Sequence, residues 1–314
     1  MTGQCRPGTP PGRRPALARQ VIALCLLALA VPAGATTVQV LKSGDRSHHR
    51  EAVAGLRAAL ADDVRLVVRV VGADGPPETG EAAALVAIGT EALRIALDDH
   101  LAVPVLAVLV PRRSFESLAG GVRRAGQPVA ALYLGQPLDR QRRVARALFP
   151  TLERFGAVVA ERSRPADFAT PGAALAGLEI ERSPPGEPPV RAVTRLARRV
   201  DAIIGIPDPR IYSARTIHGI LLASYRANVP LAGYSRALVQ AGGLVSAWLP
   251  PRAHGTDAAR MLAPYLAGDS AEWPASRYSD RFRIAVNERV ARSLALEAAV
   301  ATAGRVFRKG APIE

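Results

Sequence analysis

Ser235 is the residue that most invites a chemical reading. It sits in Gly233-Tyr234-Ser235-Arg236-Ala237, directly after the apolar run 229–233. That is one residue short of the Gly-x-Ser-x-Gly elbow, which presents a nucleophilic serine at a strand-to-helix turn. In that enzyme class an acid and then a histidine follow the serine along the chain. Here the only histidine after Ser235 is His254, and the next acid, Asp257, comes after it, so the order is wrong for a hydrolase. His48-His49 with Glu51 could suggest a metal site. Adjacent helical residues point about 100° apart, however, and no His-Glu-x-x-His spacing exists. They read as solvated histidines near a helix N-terminus. Asp62-Asp63 and Asp98-Asp99 read as solvated acids at helix ends, not as an acid–base pair. Lys42 and Lys309 are the only lysines and neither follows a glycine, so a phosphate-binding P-loop is missing, as is any Gly-x-Gly-x-x-Gly after a strand. No cofactor and no metal are expected, and the chain reads as a holder of small molecules and not as an enzyme.

What remains is a series of polar turns, each closing an apolar run and several opening a helix. They are Ser43-Gly44-Asp45, Ile88-Gly89-Thr90-Glu91, Pro111-Arg112-Arg113-Ser114, Gln136-Pro137-Leu138-Asp139, the turn from Asp208 to Tyr212, and Tyr234-Ser235. In an open parallel sheet this edge is where ligands bind. Gly89 allows backbone to approach a ligand, and Thr90 can cap a helix or offer its hydroxyl to an anion. Arg112 and Arg113 place two guanidiniums at the same edge, able to grip a carboxylate. The candidate ligand-binding set is Ser43, Gly89, Thr90, Arg112, Gln136, Asp208, Tyr212, Tyr234 and Ser235.

Those turns need a scaffold of strands and helices. Strands are expected at 37–41, 64–71, 85–88, 104–110, 129–134, 156–160, 178–181, 201–206, 229–233, 243–248 and 282–286. Several are apolar on both faces, as in a helix-covered parallel sheet. Helices fall between them. In 253–267, Ala258, Met261, Leu262, Tyr265 and Leu266 form one apolar stripe, and Asn287 suits the cap of a last helix. This is repeated βαβ, an α/β fold. About four strand–helix units precede Gly120 and a similar number follow. The loop-like segment 119–128, rich in Gly and Arg, reads as the first of three crossings between two Rossmann-like lobes. The others are expected at 249–253 and 270–280. Ser163–Thr170 and Ser183–Pro189 read as Pro-rich surface loops of the second lobe. The expected division is residues 36–127 plus 250–275 for the first lobe, 128–249 plus 276–304 for the second, and a tail at 305–314.

The N-terminus carries Arg13, Arg14 and Arg19, then the uncharged run 21–31, then Ala33-Gly34-Ala35. That order predicts a secretory signal peptide over 1–35, cleaved after Ala35, and a periplasmic product without stable membrane insertion. The apolar run is about half the ~20 residues that a bilayer span needs. Both cysteines, Cys5 and Cys25, lie inside the signal, which removes disulfides and thiolate chemistry from the expected mature chain. The net charge is +14, with four arginines in the signal. A basic chain could meet nucleic acid, an anionic membrane or an acidic ligand. No helix-turn-helix, zinc-finger or aromatic RNA-binding signature is present, so no nucleic-acid partner is expected.

Five stretches carry a family resemblance: 131–150 (ALYLGQPLDRQRRVARALFP), 201–212 (DAIIGIPDPRIY), 221–235 (LLASYRANVPLAGYS), 241–243 (AGG) and 278–296 (YSDRFRIAVNERVARSLAL). The chain resembles the ABC-transporter substrate-binding proteins related to tryptophan- and tyrosine-binding components, with the type I periplasmic-binding-protein fold. The resemblance covers most of the chain after Thr37 and is most specific in the second half. It implies a small-molecule ligand trapped between closing lobes and delivered to an inner-membrane ABC permease. It further implies ligand contacts from Gly89 and Thr90 in the first lobe and from Asp208, Tyr212, Tyr234 and Ser235 in the second. One departure stands out. The family usually has Thr-Asp-Pro after the fourth strand, and this chain has Leu109-Val110-Pro111-Arg112-Arg113. Arginine there favours an anionic ligand, or none. A sensory or interaction module of the same fold, without transport, is the alternative reading.

Overall fold

A computed structural model of the chain describes residues 2–3, 36–74, 80–98, 103–124, 126–297 and 306–308. The expected signal peptide lies outside the described residues. So does most of the expected C-terminal tail.

The first lobe is a six-stranded, all-parallel sheet. Its strands are β1 (Thr36–Lys42), β2 (Val64–Val70), β3 (Ala84–Ile88), β4 (Val105–Val110), β5 (Val129–Tyr133) and β11 (Arg277–Tyr278), in the order β11-β5-β4-β3-β1-β2. β3 to β5 are buried at every position, because helices cover both faces. On one face lie α2 (Thr90–Asp98) and α3 (Arg112–Arg124), burying Leu93, Leu97, Phe115 and Ala119 with Leu85 and Ala107. On the other lie α1 (Ser47–Arg57) and α8 (Pro251–Leu266), burying Leu56, Ala258 and Leu262 with Val38, Val86 and Leu106. Each fully buried Leu contributes about 1.5–3 kcal/mol of transfer free energy.

In the second lobe, β6 (Phe155–Ala160), β7 (Leu178–Ser183), β8 (Ala202–Ile204) and β9 (Leu231–Ala232) run parallel in the order β7-β6-β8-β9. β10 (Val245–Trp248) is tied to β9 by two backbone hydrogen bonds, Leu244 N to Leu231 O at 2.8 Å and Gly233 N to Val245 O at 2.7 Å. β12 (Arg281–Val286) and β13 (Val306–Arg308) follow antiparallel. This lobe's helices are α4 (Leu138–Leu148), α5 (Pro189–Leu196), α6 (Ile217–Arg226), α7 (Arg236–Gln240) and α9 (Glu288–Ser293). Its core gathers Leu148, Phe149, Phe155, Leu196, Ile203, Ile220 and Ile284. Asn287 caps α9, its side chain accepting from Val290 N.

Three sequence expectations need correction. The lobe boundary at residue 128 is too early, because β5 pairs with β4 in the first sheet and the crossing follows it, between Tyr133 and Leu138. Segment 119–128 is not a crossing. Its first half continues α3 to Arg124, held by the buried Phe115 and Ala119, while its Gly and Arg composition imitates a loop. Arg277 and Tyr278 return to the first sheet beside β5, so the lobe boundary after 275 is also too early, and Ser279-Asp280, inside the expected third crossing 270–280, leads into β12. The second crossing is Leu249-Pro250.

A buried polar network straps these crossings. Ser279 Oγ donates to Asp257 at 2.6 Å, Arg281 pairs with the same carboxylate, and Arg140 donates to Ser279 O at 2.5 Å while lying over the Phe282 ring. Burial pulls the Arg140 guanidinium below its ordinary value, against the opposing pull of Asp280 and Asp139. Gln141 clamps Ala247 by two hydrogen bonds, at 2.7 and 2.8 Å.

Candidate functional site

Sheet order fixes where a ligand can sit. In the first lobe the order reverses between β1 and β3, and in the second between β6 and β8. A crevice opens outside the strand ends at each such switch point. Ser43 and Gly89 follow β1 and β3, while Ser163 and Asp208 follow β6 and β8.

On the first-lobe side much of the polar capacity is already used. Ser43 Oγ accepts from Ala92 N at 2.8 Å, so it caps α2 in place of Thr90, which is exposed. Gly89 has φ +94°, and a Cβ there would stand 2.5 Å from Ser43 Oγ, so only glycine fits. His49 is buried, against the expectation of a solvated histidine. Its Nδ1 lies 2.8 Å from Gly44 O, fixing the β1 turn. No metal-binding cluster occurs among the described residues. Gln136 is also buried, its Oε1 taking a hydrogen bond from Arg140 while its Nε2 has no partner.

The second-lobe side centres on Asp208, which is 2 % exposed. Its carboxylate accepts from Arg210 Nε at 2.9 Å and Nη2 at 2.6 Å, from Arg210 N at 3.1 Å, and from Ser163 Oγ at 3.0 Å. Burial pushes the carboxyl up from its ordinary range, with the Ser163 hydrogen bond and Arg113 pulling the other way. Tyr212 is buried nearby, its hydroxyl without a partner, and its ring meets Tyr234 edge-on at 5.9 Å between centroids. Burial raises both phenols. Ser235 Oγ accepts from Leu238 N at 3.2 Å, so the elbow-like serine is spent as the cap of α7.

The two sides meet through Arg112 and Arg113. Arg112 Nη1 donates to the carbonyls of Ala166 at 3.0 Å and Ala169 at 2.6 Å. Arg113 Nη1 donates to Ser163 Oγ at 2.8 Å and stands 3.5 Å from Asp208 Oδ2. A bulge aims this strand end: β4 shifts register between Val108 and Val110, and Leu109 adopts φ +57°, a strained value for leucine. Of the sequence-derived set, Arg112 therefore reaches the lobe that holds Asp208, and Tyr212 and Tyr234 touch each other. Ser43 and Ser235 are occupied as caps, and Gln136 is bound into the hinge. Ser163 and Arg210 were missed. Arg210 was legible only as a neighbour of Asp208, and Ser163 lay in a segment read as a plain surface loop.

No family model matches the sequence, and no curated protein matches it. Among solved structures, a ligand-free, open substrate-binding protein with adhesive properties from Clostridium difficile superposes with a TM-score of 0.64 at 15 % identity, covering 87 % of this chain and all of that one (100 %). An ABC domain in complex with L-Trp from Streptococcus pneumonia gives 0.54 at 18 %, covering 83 % of this chain and 95 % of that one. A conserved domain protein from Vibrio cholerae gives 0.55 at 17 %, covering 85 % and 97 %. The chain has the type I periplasmic-binding fold. In that fold the three crossings form the hinge between the lobes, and the Ser43–Gly89 and Ser163–Asp208 turns stand at the strand ends beside the two switch points. Among the described residues no helix is long and apolar enough to cross a membrane.

Proposed function

We propose that this protein is an exported, non-enzymatic solute-binding component of an ABC-type transport system, capturing a small polar or anionic molecule in the cleft between its lobes. The observation that carries this reading is the bridge from Arg112 and Arg113 of one lobe to Ser163, Asp208 and the 166–169 carbonyls of the other. These groups stand at strand ends and are joined through a hinge, so a ligand could change the balance between open and closed forms. The Trp complex of one structural neighbour puts amino acids and their close analogues on the panel of molecules to test.

The test is thermal unfolding of residues 36–314 against a metabolite panel. A true ligand at a hundred times its Kd stabilises by about 2.7 kcal/mol, a readily measured shift. No shift across the panel counts against the proposal. A second reading, a sensory or interaction module without transport, is favoured by one feature: the protein's own arginines already bridge the cleft. A permease and an ATPase encoded beside this gene support transport, whereas a sensor kinase there, without a permease, supports the second reading.

A further inference from the structure

Resting on the solute-binding reading, we propose that the cleft takes an anion without an ammonium group and that Arg113 sets this selectivity by exchanging Asp208 for the ligand. The charge balance is the starting point. Two guanidiniums, Arg113 and Arg210, reach the one carboxylate of Asp208, and Arg112 adds a third on the carbonyls of Ala166 and Ala169 in the same lobe. Arg210 neutralises Asp208 by itself, with Nε and Nη2 at 2.9 and 2.6 Å in a fork. Arg113 is a more distant second partner at 3.5 Å, and its side chain is 44 % exposed, so it can leave without stranding a buried charge. Arg112 donates only to the carbonyls of Ala166 and Ala169 and has no carboxylate partner among the described residues.

A ligand ammonium entering here has to displace a guanidinium from Asp208 and add to a positive excess. A carboxylate or phosphate instead gains charge-assisted hydrogen bonds from Arg112 and Arg113 while Arg210 keeps Asp208 paired. The Tyr212 hydroxyl, buried without a partner in the turn that carries Asp208, can also donate. Beside this cluster Arg210 lines a cavity of about 590 Å³ with Arg162, Ser183 and Ile211, within the usual size of ligand pockets. Arg162 has no carboxylate partner among the described residues. Of the two acids on that wall, Glu161 and Glu187, the second is held by Arg195 at 2.9 Å.

The experiment uses matched probes: each common amino acid against its 2-oxo acid and its deaminated acid, with inorganic phosphate and a polyamine added. Thermal shift finds binders, and calorimetry measures them on wild type, Arg113→Ala and Arg113→Lys. The expected result is binding of acids that lack the ammonium group in preference to their amino acids. Arg113→Ala should weaken that binding about tenfold to a hundredfold, with Arg113→Lys in between. Circular dichroism checks that both variants fold. Tighter binding of the amino acid than of its deaminated partner, or undiminished binding in both variants, overturns the inference and leaves the solute-binding reading standing. A panel without any binder removes that reading, and this inference with it.

Discussion

Gly255→Ala puts the packing of the first lobe to a sharp test, because two opposing effects of known size meet there. α1 and α8 cross at a pair of glycines. A Cβ on Gly255 would lie 1.8 Å from Ala52 O and 2.7 Å from Leu56 N, and one on Gly55 would lie 1.8 Å from Arg252 O. The obstacle in each case is backbone, which cannot rotate aside. Comfortable contact needs about 3.5 Å, so the helices must part by up to about 1.7 Å. A gap of even half that forfeits a quarter to a half of the dispersion energy along the seam, here made by Ala52, Leu56, Ala258 and Leu262. Overpacking of this kind costs about 3 kcal/mol at the upper end of its usual range. Helix propensity returns about 1 kcal/mol for Gly→Ala. The net expectation is a loss of about 2 kcal/mol, or roughly 4–8 °C in thermal midpoint. Gly219→Ala in α6 is the control: it has nothing within 4 Å of the new Cβ, so propensity alone acts and the midpoint should rise slightly. Thermal scans of the two variants beside wild type decide the matter. A Gly255→Ala protein as stable as wild type would refute the close backbone crossing.

Two further expectations concern the site and the hinge. Ser43→Ala removes the cap on α2 and should cost about 1 kcal/mol in unfolding experiments. The Ser43 oxygen accepts from Ala92 N, so the loss should register in stability. His254 is fully buried at the second crossing, with the carbonyls of Tyr133, Pro250 and Leu249 nearby, and burial lowers its pKa from the ordinary 6.5. The unfolded chain therefore takes up a proton that the folded protein refuses as pH falls below that ordinary value. Stability should drop by up to about 1.4 kcal/mol per pH unit from there until the folded value is reached. His254→Leu should flatten this part of the stability–pH curve, and an equal slope in both proteins would remove His254 as the cause.

Much of the architecture was legible along the chain because both faces of the central strands are buried. Runs such as Val105–Val110 and Val129–Tyr133 are short, β-branched or aromatic in part and apolar throughout, as interior parallel strands are. The two-residue β11 left no such signal, since Arg277 and Tyr278 join the sheet through pairing with Leu132 and Tyr133 and not through local propensity. α3 was misread from Ala119 onward because its Gly120-Gly121 and arginines look like a loop, while the burial that stabilises it depends on the sheet beneath. The strand-end turns were visible as polar punctuation. Their partners were not: Arg113 meets Ser163 fifty positions away, and Asp208 takes Arg210 from its own turn. Distinguishing an occupied serine such as Ser43 or Ser235 from a free one required knowing which amide it faces.

The central claim is that the cleft holds a small solute. Native mass spectrometry of residues 36–314, purified under non-denaturing conditions, tests it most directly. The account predicts a population carrying one extra small-molecule mass that disappears on denaturation, and the released species should be an anion without an amino group. A spectrum of bare protein alone, together with no thermal shift across the metabolite panel, would contradict it.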